Sequence, residues 1–149
     1  MKGDKMAVTK VDPYQDPTYN QQPAVADAVV DVLTTEQPPL APAMQACINE
    51  CLDCYKTCLS EAMTRCLEMG GAHIEPHHFR LMLNCAEICQ TSANFMLSKS
   101  PLHAAVCDVC AQVCEACAQS CDEVEGMSEC ATQCRKCATS CHEMTMALA

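Results

Sequence analysis

Sulfur is the chemistry available to this chain. Its sixteen cysteines all follow residue 46, and nearly all stand three or four residues apart. Cys47, Cys51, Cys54 and Cys58 form one run, Cys107, Cys110, Cys114, Cys117 and Cys121 a second, and Cys130, Cys134, Cys137 and Cys141 a third. Cys85 and Cys89 form a pair between them, and Cys66 stands alone. Thiolate is a soft ligand, and the metals that select it are Cu(I), zinc and the iron of iron–sulfur clusters.

The spacing discriminates among these. Zinc favours four tetrahedral ligands, usually from Cys-x-x-Cys knuckles on turns that wrap the ion; here no Cys-x-x-Cys sits on a glycine-containing turn. Iron–sulfur proteins usually carry their cysteines on loops, often with a Cys-Pro; no cysteine of this chain precedes a proline. Cu(I) is content with two or three thiolates, so sulfurs at i and i+4 of one helical turn can bridge it and share it with facing helices. The pattern favours Cu(I), with zinc, iron–sulfur and disulfide-stapled structural readings kept as alternatives. Disulfides within a helix fit poorly, because Cβ vectors at i and i+4 run parallel, so only interhelical pairs would serve. A purely apolar role fails for another reason. A seam of small side chains is expected to leave the axis poorly filled, at a cost of roughly 2–5 kcal/mol per Leu-sized deletion.

Alternation of three and four keeps side chains on one face of an α-helix. The motif Cys-x-x-x-Cys-x-x-Cys-x-x-x-Cys occurs at 47–58, 110–121 and 130–141, so three helices carry the same stripe. Punctuation delimits four helices near 43–69, 76–98, 101–122 and 128–146. Gly70 and Gly71 end the first, Pro76 opens the second, Ser100 and Pro101 supply N-cap and N1 for the third, and Gly126 with Ser128 precedes the fourth. Connections this short force neighbours antiparallel, which predicts an all-α, up-down-up-down four-helix bundle with a cysteine-lined core. Ile48, Leu52, Tyr55 and Leu59 on the first helix, and Val106, Val109 and Val113 on the third, form aliphatic flanks that seal helix to helix. Glu50, Asp53, Glu61 and Glu68 fall on the solvent side.

Residues 1–42 are read as a separate N-terminal region, and 43–149 as the metal-binding domain. Residues 1–22 carry Pro13, Pro17 and several Gln and Asp without apolar periodicity and read as a flexible arm. Pro23 to Thr35 fits a short helix with Val25, Val29, Val32 and Leu33 as its apolar stripe, followed by a stiff linker at Pro38, Pro39 and Pro42. Residues 1–10 lack the apolar run of a secretory signal, so the protein is expected to be cytoplasmic, with reduced thiols.

Composition narrows the function classes. A formal charge of −10, no Trp, two Phe and three Tyr argue against nucleic acid as a partner and against an anionic lipid surface, while tolerating cations. No stretch approaches the ~20 apolar residues of a membrane span. Neither a Ser/His/Asp grouping nor a paired-carboxylate pocket nor a phosphate loop is apparent, so an enzyme is not expected.

Sixteen bare thiolates in an apolar tube would be prohibitive, so the copper-free form is expected to hold protonated thiols and to be helical already. Each Cu(I) displaces thiol protons, and neutrality is approached when ions and thiolates are similar in number. This gives a capacity on the order of 10 to 16 ions per chain, which is storage. One end of the bundle gathers Met63, Cys66, Met69, His73, His77, His78, Met82 and Met127. Thioether and imidazole are weaker, neutral Cu(I) ligands, so Met63, His73, His77, His78 and Met82 are read as ligands at a mouth where ions enter and leave. The opposite end carries Phe95, Met96, His103, His142, Met144 and Met146, with Phe95 and Met96 as a plug.

From Cys47 to Met144 the chain resembles the cysteine-rich four-helix-bundle copper storage proteins. The repeated Cys-x-x-x-Cys stripes, Cys-Ala-Glu-Ile-Cys at 85–89, Cys-Glu-Ala-Cys at 114–117 and Cys-Arg-Lys-Cys at 134–137 carry the resemblance. It implies a Cu(I)-binding bundle that stores or buffers copper, often as a homo-oligomer, with copper ions and a copper chaperone or transporter as partners. It also implies His or Met at the copper mouth, where this chain places the acidic loop of Asp122, Glu123 and Glu125.

Overall fold

The computed structural model describes residues Leu40 to Met146. The expected arm, the Pro23–Thr35 helix, and Pro38 and Pro39 of the linker lie outside the described residues. The described chain forms four helices: α1, Pro42–Glu61; α2, Pro76–Leu97; α3, His103–Asp122; α4, Ser128–Met146. Among the described residues there is no strand. Among the described residues no helix is long and apolar enough to cross a membrane.

Local chemistry sets the boundaries. Pro42 opens α1 at a first-turn position that needs no N–H, and Ala41 before it is extended (φ −53°, ψ 139°), as proline requires of its predecessor. Beyond Glu61 the helix continues through a π-helical turn, Ala62–Cys66, and finishes in Leu67–Met69. On an uninterrupted α-helix, seven residues return the chain to within about 20° of phase, which would aim Arg65, seven after Cys58, into the core. The extra residue held in the π turn aims Cys66 inward instead. Cys66 is fully buried, and Arg65 faces outward to bond Glu61 at 2.6 Å.

Gly70 (φ 63°) and Gly71 (φ 56°) take left-handed conformations that disfavour a β-carbon, and a 3-10 turn, Gly71–Ile74, leads to α2. Glu75 caps α2: its Oε2 accepts from the backbone N–H of His77 at 3.0 Å and of His78 at 3.1 Å, which lowers its pKa. Between α2 and α3 the expectation is corrected. Ser100 and Pro101 belong to a turn, and α3 begins at His103 without a side-chain cap. The reason is that Lys99, in the left-handed region at φ 53°, closes α2. Ser100 N–H donates to the Phe95 carbonyl and Lys99 N–H to that of Met96, both at 3.0 Å, a Schellman closure. The Ser100 N–H is thereby used to end α2, while its Oγ accepts from the Leu102 N–H at 3.2 Å, as the cap expected of it would; only the start of the regular helix is later than expected.

Each helix packs on its chain neighbours, and α4 closes the ring on α1. Sulfur pairs give the direction. Cys47 meets Cys141 and Cys58 meets Cys130 between α1 and α4, at 3.8 and 3.6 Å. Between α2 and α3, Met82 meets Cys121 at 3.5 Å and Cys89 meets Cys110 at 3.7 Å. Both pairs are antiparallel, and α2 runs parallel to α4, where Cys85 meets Cys134 and Cys89 meets Cys137, so the bundle is up-down-up-down. The core is the cysteines together with Ile48, Met82, Met96, Met127 and a set of alanines, among them Ala86, Ala111, Ala118, Ala131 and Ala138. Leu52, Tyr55, Leu59 and Val113 pack against it as expected, whereas Val109 is 49% exposed and seals nothing.

Candidate metal centre

All sixteen cysteines are free thiols and all are buried. Their stripes place them on the axis one helical turn apart. On a single helix, Cys54 and Cys58 lie 3.9 Å apart, as do Cys110 and Cys114. Across the bundle, Cys54 reaches Cys85 and Cys134 at 3.8 Å each, Cys58 reaches Cys134 at 3.5 Å, and Cys89 reaches Cys114 at 3.4 Å. Sulfurs of diagonally opposed helices also meet: Cys85 of α2 is 3.8 Å from Cys134 of α4, and Cys89 is 3.7 Å from Cys137. These separations far exceed the ~2.05 Å of a disulfide.

The expectation that small side chains would leave the axis unfilled is corrected here. The helices approach until sulfur touches sulfur, with alanines rather than bulky side chains beside the stripes. The core is therefore already filled as thiols.

Five sulfur sets have all members within 4.8 Å of one another. They are Cys54/Cys58/Cys85/Cys134, Cys54/Cys85/Cys89/Cys114, Cys89/Cys110/Cys114/Cys137, Cys51/Cys110/Cys137/Cys141 and Cys47/Cys107/Cys141. They are not separate sites, because Cys54, Cys85, Cys89, Cys110, Cys114, Cys137 and Cys141 each belong to two. The arrangement is a ladder with shared rungs, running from Cys58 to Cys107. Cys117, Cys121 and Cys130 extend it at the Cys58 end, where their Sγ atoms donate to the Met82 thioether at 3.7, 3.5 and 3.7 Å.

Electrostatics differ from thiol to thiol. Burial, followed by neighbouring anionic groups, pushes the Cys66 thiol up. Within the ladder, hydrogen bonding with Cys117 and then other sulfurs holds Cys58 above the ordinary thiol range, while hydrogen bonding, first with Cys114, holds Cys54 below it. Each S–H can donate only once, so a sulfur that accepts from its neighbours carries charge more easily than one that donates. A soft cation supplies what the whole set lacks, a positive charge on the axis.

The predicted mouth residues divide. His73 and His78 are buried, at 7% and 3% exposure, and Met82 is fully buried. His78 Nδ1 pairs with Ser120 Oγ at 2.9 Å, leaving His78 Nε2 and His73 Nδ1 buried without a hydrogen-bond partner. Burial lowers the His78 pKa, which favours the neutral form of the ring, the form that binds a metal. Met63 (44% exposed) and Met69 (67% exposed) point outward, and His77 is exposed. The structure does not bring Met63 or His77 into the column. Sequence reasoning missed Ser92, which is fully buried and 3.4 Å from Cys107 Sγ. Its place in the α2 register, after His78, Met82, Cys85 and Cys89, was the available signal.

Comparison with known proteins agrees with this geometry. The structure of the Nmul_A1745 protein from Nitrosospira multiformis is 57% identical, covering 72% of this chain and 97% of that one, with a TM-score of 0.70. The Cu(I)-bound copper storage protein BsCsp3 is 35% identical over 69% of this chain and 98% of its own, with a TM-score of 0.64. An uncharacterized cysteine-rich protein of Bacillus subtilis, YhjQ, is 37% identical over 67 residues, and that match spans 61% of its length. The profile described as "Copper storage protein" matches residues 41–146. A cysteine ladder in an antiparallel four-helix bundle, matched over most of the chain to that profile, shows that this protein belongs to the copper storage protein family.

Proposed function

We propose that the protein stores Cu(I) as a chain of thiolate-bridged ions along the bundle axis. The observation that carries this is the sharing of sulfurs between adjacent sets. Isolated tetrahedral zinc sites need four private ligands each, whereas Cu(I), satisfied by two or three, is suited to bridging thiolates. The sixteen cysteines are the principal ligands. Met82 completes the end nearest Cys117, Cys121 and Cys130, and His73 and His78 receive incoming ions. Met63 and His77 are retained only as external contacts during transfer.

Storage calls for no catalytic residue. The description of the family as copper storage proteins supports a non-enzymatic role. The number of reduced thiols supports a reducing compartment, the cytoplasm. Because the ladder is buried, ions are handed over by a copper chaperone or transporter, and membership of the family supports a homo-oligomer, checked by light scattering. The deciding experiment is anaerobic titration of reduced protein with Cu(I) against a tight chelator. Saturation at roughly 10 to 16 ions per chain is expected; saturation at about one or two ions overturns storage.

A further inference from the structure

The end of the bundle opposite His73 and His78 is closed by side chains of the same soft chemistry as the ladder. The last rung there is Cys47 of α1, Ser92 of α2, Cys107 of α3 and Cys141 of α4. Cys47 and Cys141 are 3.8 Å apart and Ser92 Oγ is 3.4 Å from Cys107. One turn further out, every helix supplies another donor. Met44 lies three residues before Cys47, Met96 four after Ser92, His103 four before Cys107, and Met144 three after Cys141; these offsets keep each on the face of its inner neighbour.

Met96 is fully buried and Met144 is 6% exposed, and Met44 packs against the same core. His103 is half-buried, and its Nδ1 is shielded from solvent without a hydrogen-bond partner. A ring of leucines would seal this end as well. Three thioethers and an unpaired imidazole nitrogen are instead the neutral ligands that hold Cu(I) more weakly than thiolate does.

We infer that this ring, Met44, Met96, His103 and Met144, is a second copper port, so that ions enter and leave the ladder at both ends. The inference rests on the storage reading. An ion on the Cys47/Cys107/Cys141 set moves outward by exchanging one thiolate for a thioether or the His103 nitrogen. The released thiolate takes a proton from solvent, so charge and protons balance without any oxidant.

The bland account is that the methionines fill gaps, and the test separates the two. Leucine conserves methionine's volume and removes the donor, an exchange that packed cores tolerate well. Copper-loaded full-length protein is mixed anaerobically with excess colorimetric Cu(I) chelator, and release is followed by absorbance. The variants are M96L/M144L/H103L at this end, H73L/H78L at the other, and all five together. Each set alone is expected to slow release partially, and the combination by about tenfold or more. If H103L disturbs folding by circular dichroism, the M96L/M144L pair is used and is also expected to slow release.

Far-end variants that saturate normally and release copper at the wild-type rate would overturn the second port and leave storage intact. Wild-type protein that saturates at about one or two ions would remove storage, and the port with it.

Discussion

Cys85 and Cys107 look alike in the sequence and differ in the structure. Cys85 belongs to two sulfur sets and touches Cys114 at 3.6 Å and Cys54 and Cys134 at 3.8 Å, while Cys107 belongs to one set. If bridging is real, Cys85→Ser should lower capacity by about two ions and Cys107→Ser by about one, read by anaerobic titration; equal losses would mean private sites. His78 provides a second residue-level prediction. Burial holds its imidazole below the ordinary 6.5, so the unfolded chain binds its proton more readily than the folded one. Its stabilising contribution is therefore complete above pH 6.5 and is lost as pH falls from there through the lowered folded value. Thermal melts of reduced, copper-free protein should show stability declining over that window, and His78→Leu should flatten the slope.

At the scale of the element, the π turn in the extension of α1 brings Cys66 into phase, and its one extra residue can be tested. Deleting Thr64 restores a seven-residue spacing from Cys58, so the cysteine should stay as slow to alkylate as in the wild type. Inserting an alanine beside Thr64 rotates the downstream residues by about 100° and should expose the thiol to rapid alkylation. Periodicity alone gives a single helix from 43 to 69 and has no means of finding this turn, because Ala62–Cys66 contains neither proline nor glycine to mark it. The four helices are legible because three of them repeat one sulfur pattern, and α4 occupies the residues that pattern predicts, 128–146. The α2–α3 turn is legible in part: the Ser100 Oγ accepts from the Leu102 N–H at 3.2 Å, as Ser-Pro predicts, whereas the closure of α2 by the Ser100 N–H on Phe95 and the later start of the regular helix at His103 depend on Lys99 taking a left-handed conformation that nothing in its sequence marks. Within the candidate site the cysteines are legible from periodicity, whereas the separation of buried His78 from exposed His77 depends on where Glu75 starts α2.

For the whole molecule, sulfur contact along the axis predicts folding that does not depend on copper. The thiols already fill the core at 3.4 to 3.9 Å, so reduced, copper-free protein should be as helical by circular dichroism as the loaded form. Loading should raise the melting temperature by mass action without adding helix, since the preformed ladder holds copper more tightly than the thiols of the unfolded chain do. The same packing constrains protons. The chain carries a formal −10 with its thiols protonated, and the desolvated core cannot accumulate many more charges. An early ion held by two thiolates must displace about two protons, leaving one extra negative charge on the axis. As later ions use sulfurs already deprotonated, each should release fewer, until the cumulative ratio approaches about one proton per copper and the core is neutral. A pH-stat titration in weak buffer reads this directly. The expected curve starts near two protons per ion and bends downward before saturation. A straight line at two up to saturation would mean private two-coordinate sites, about half as many ions as cysteines, and a ladder whose shared rungs are never used.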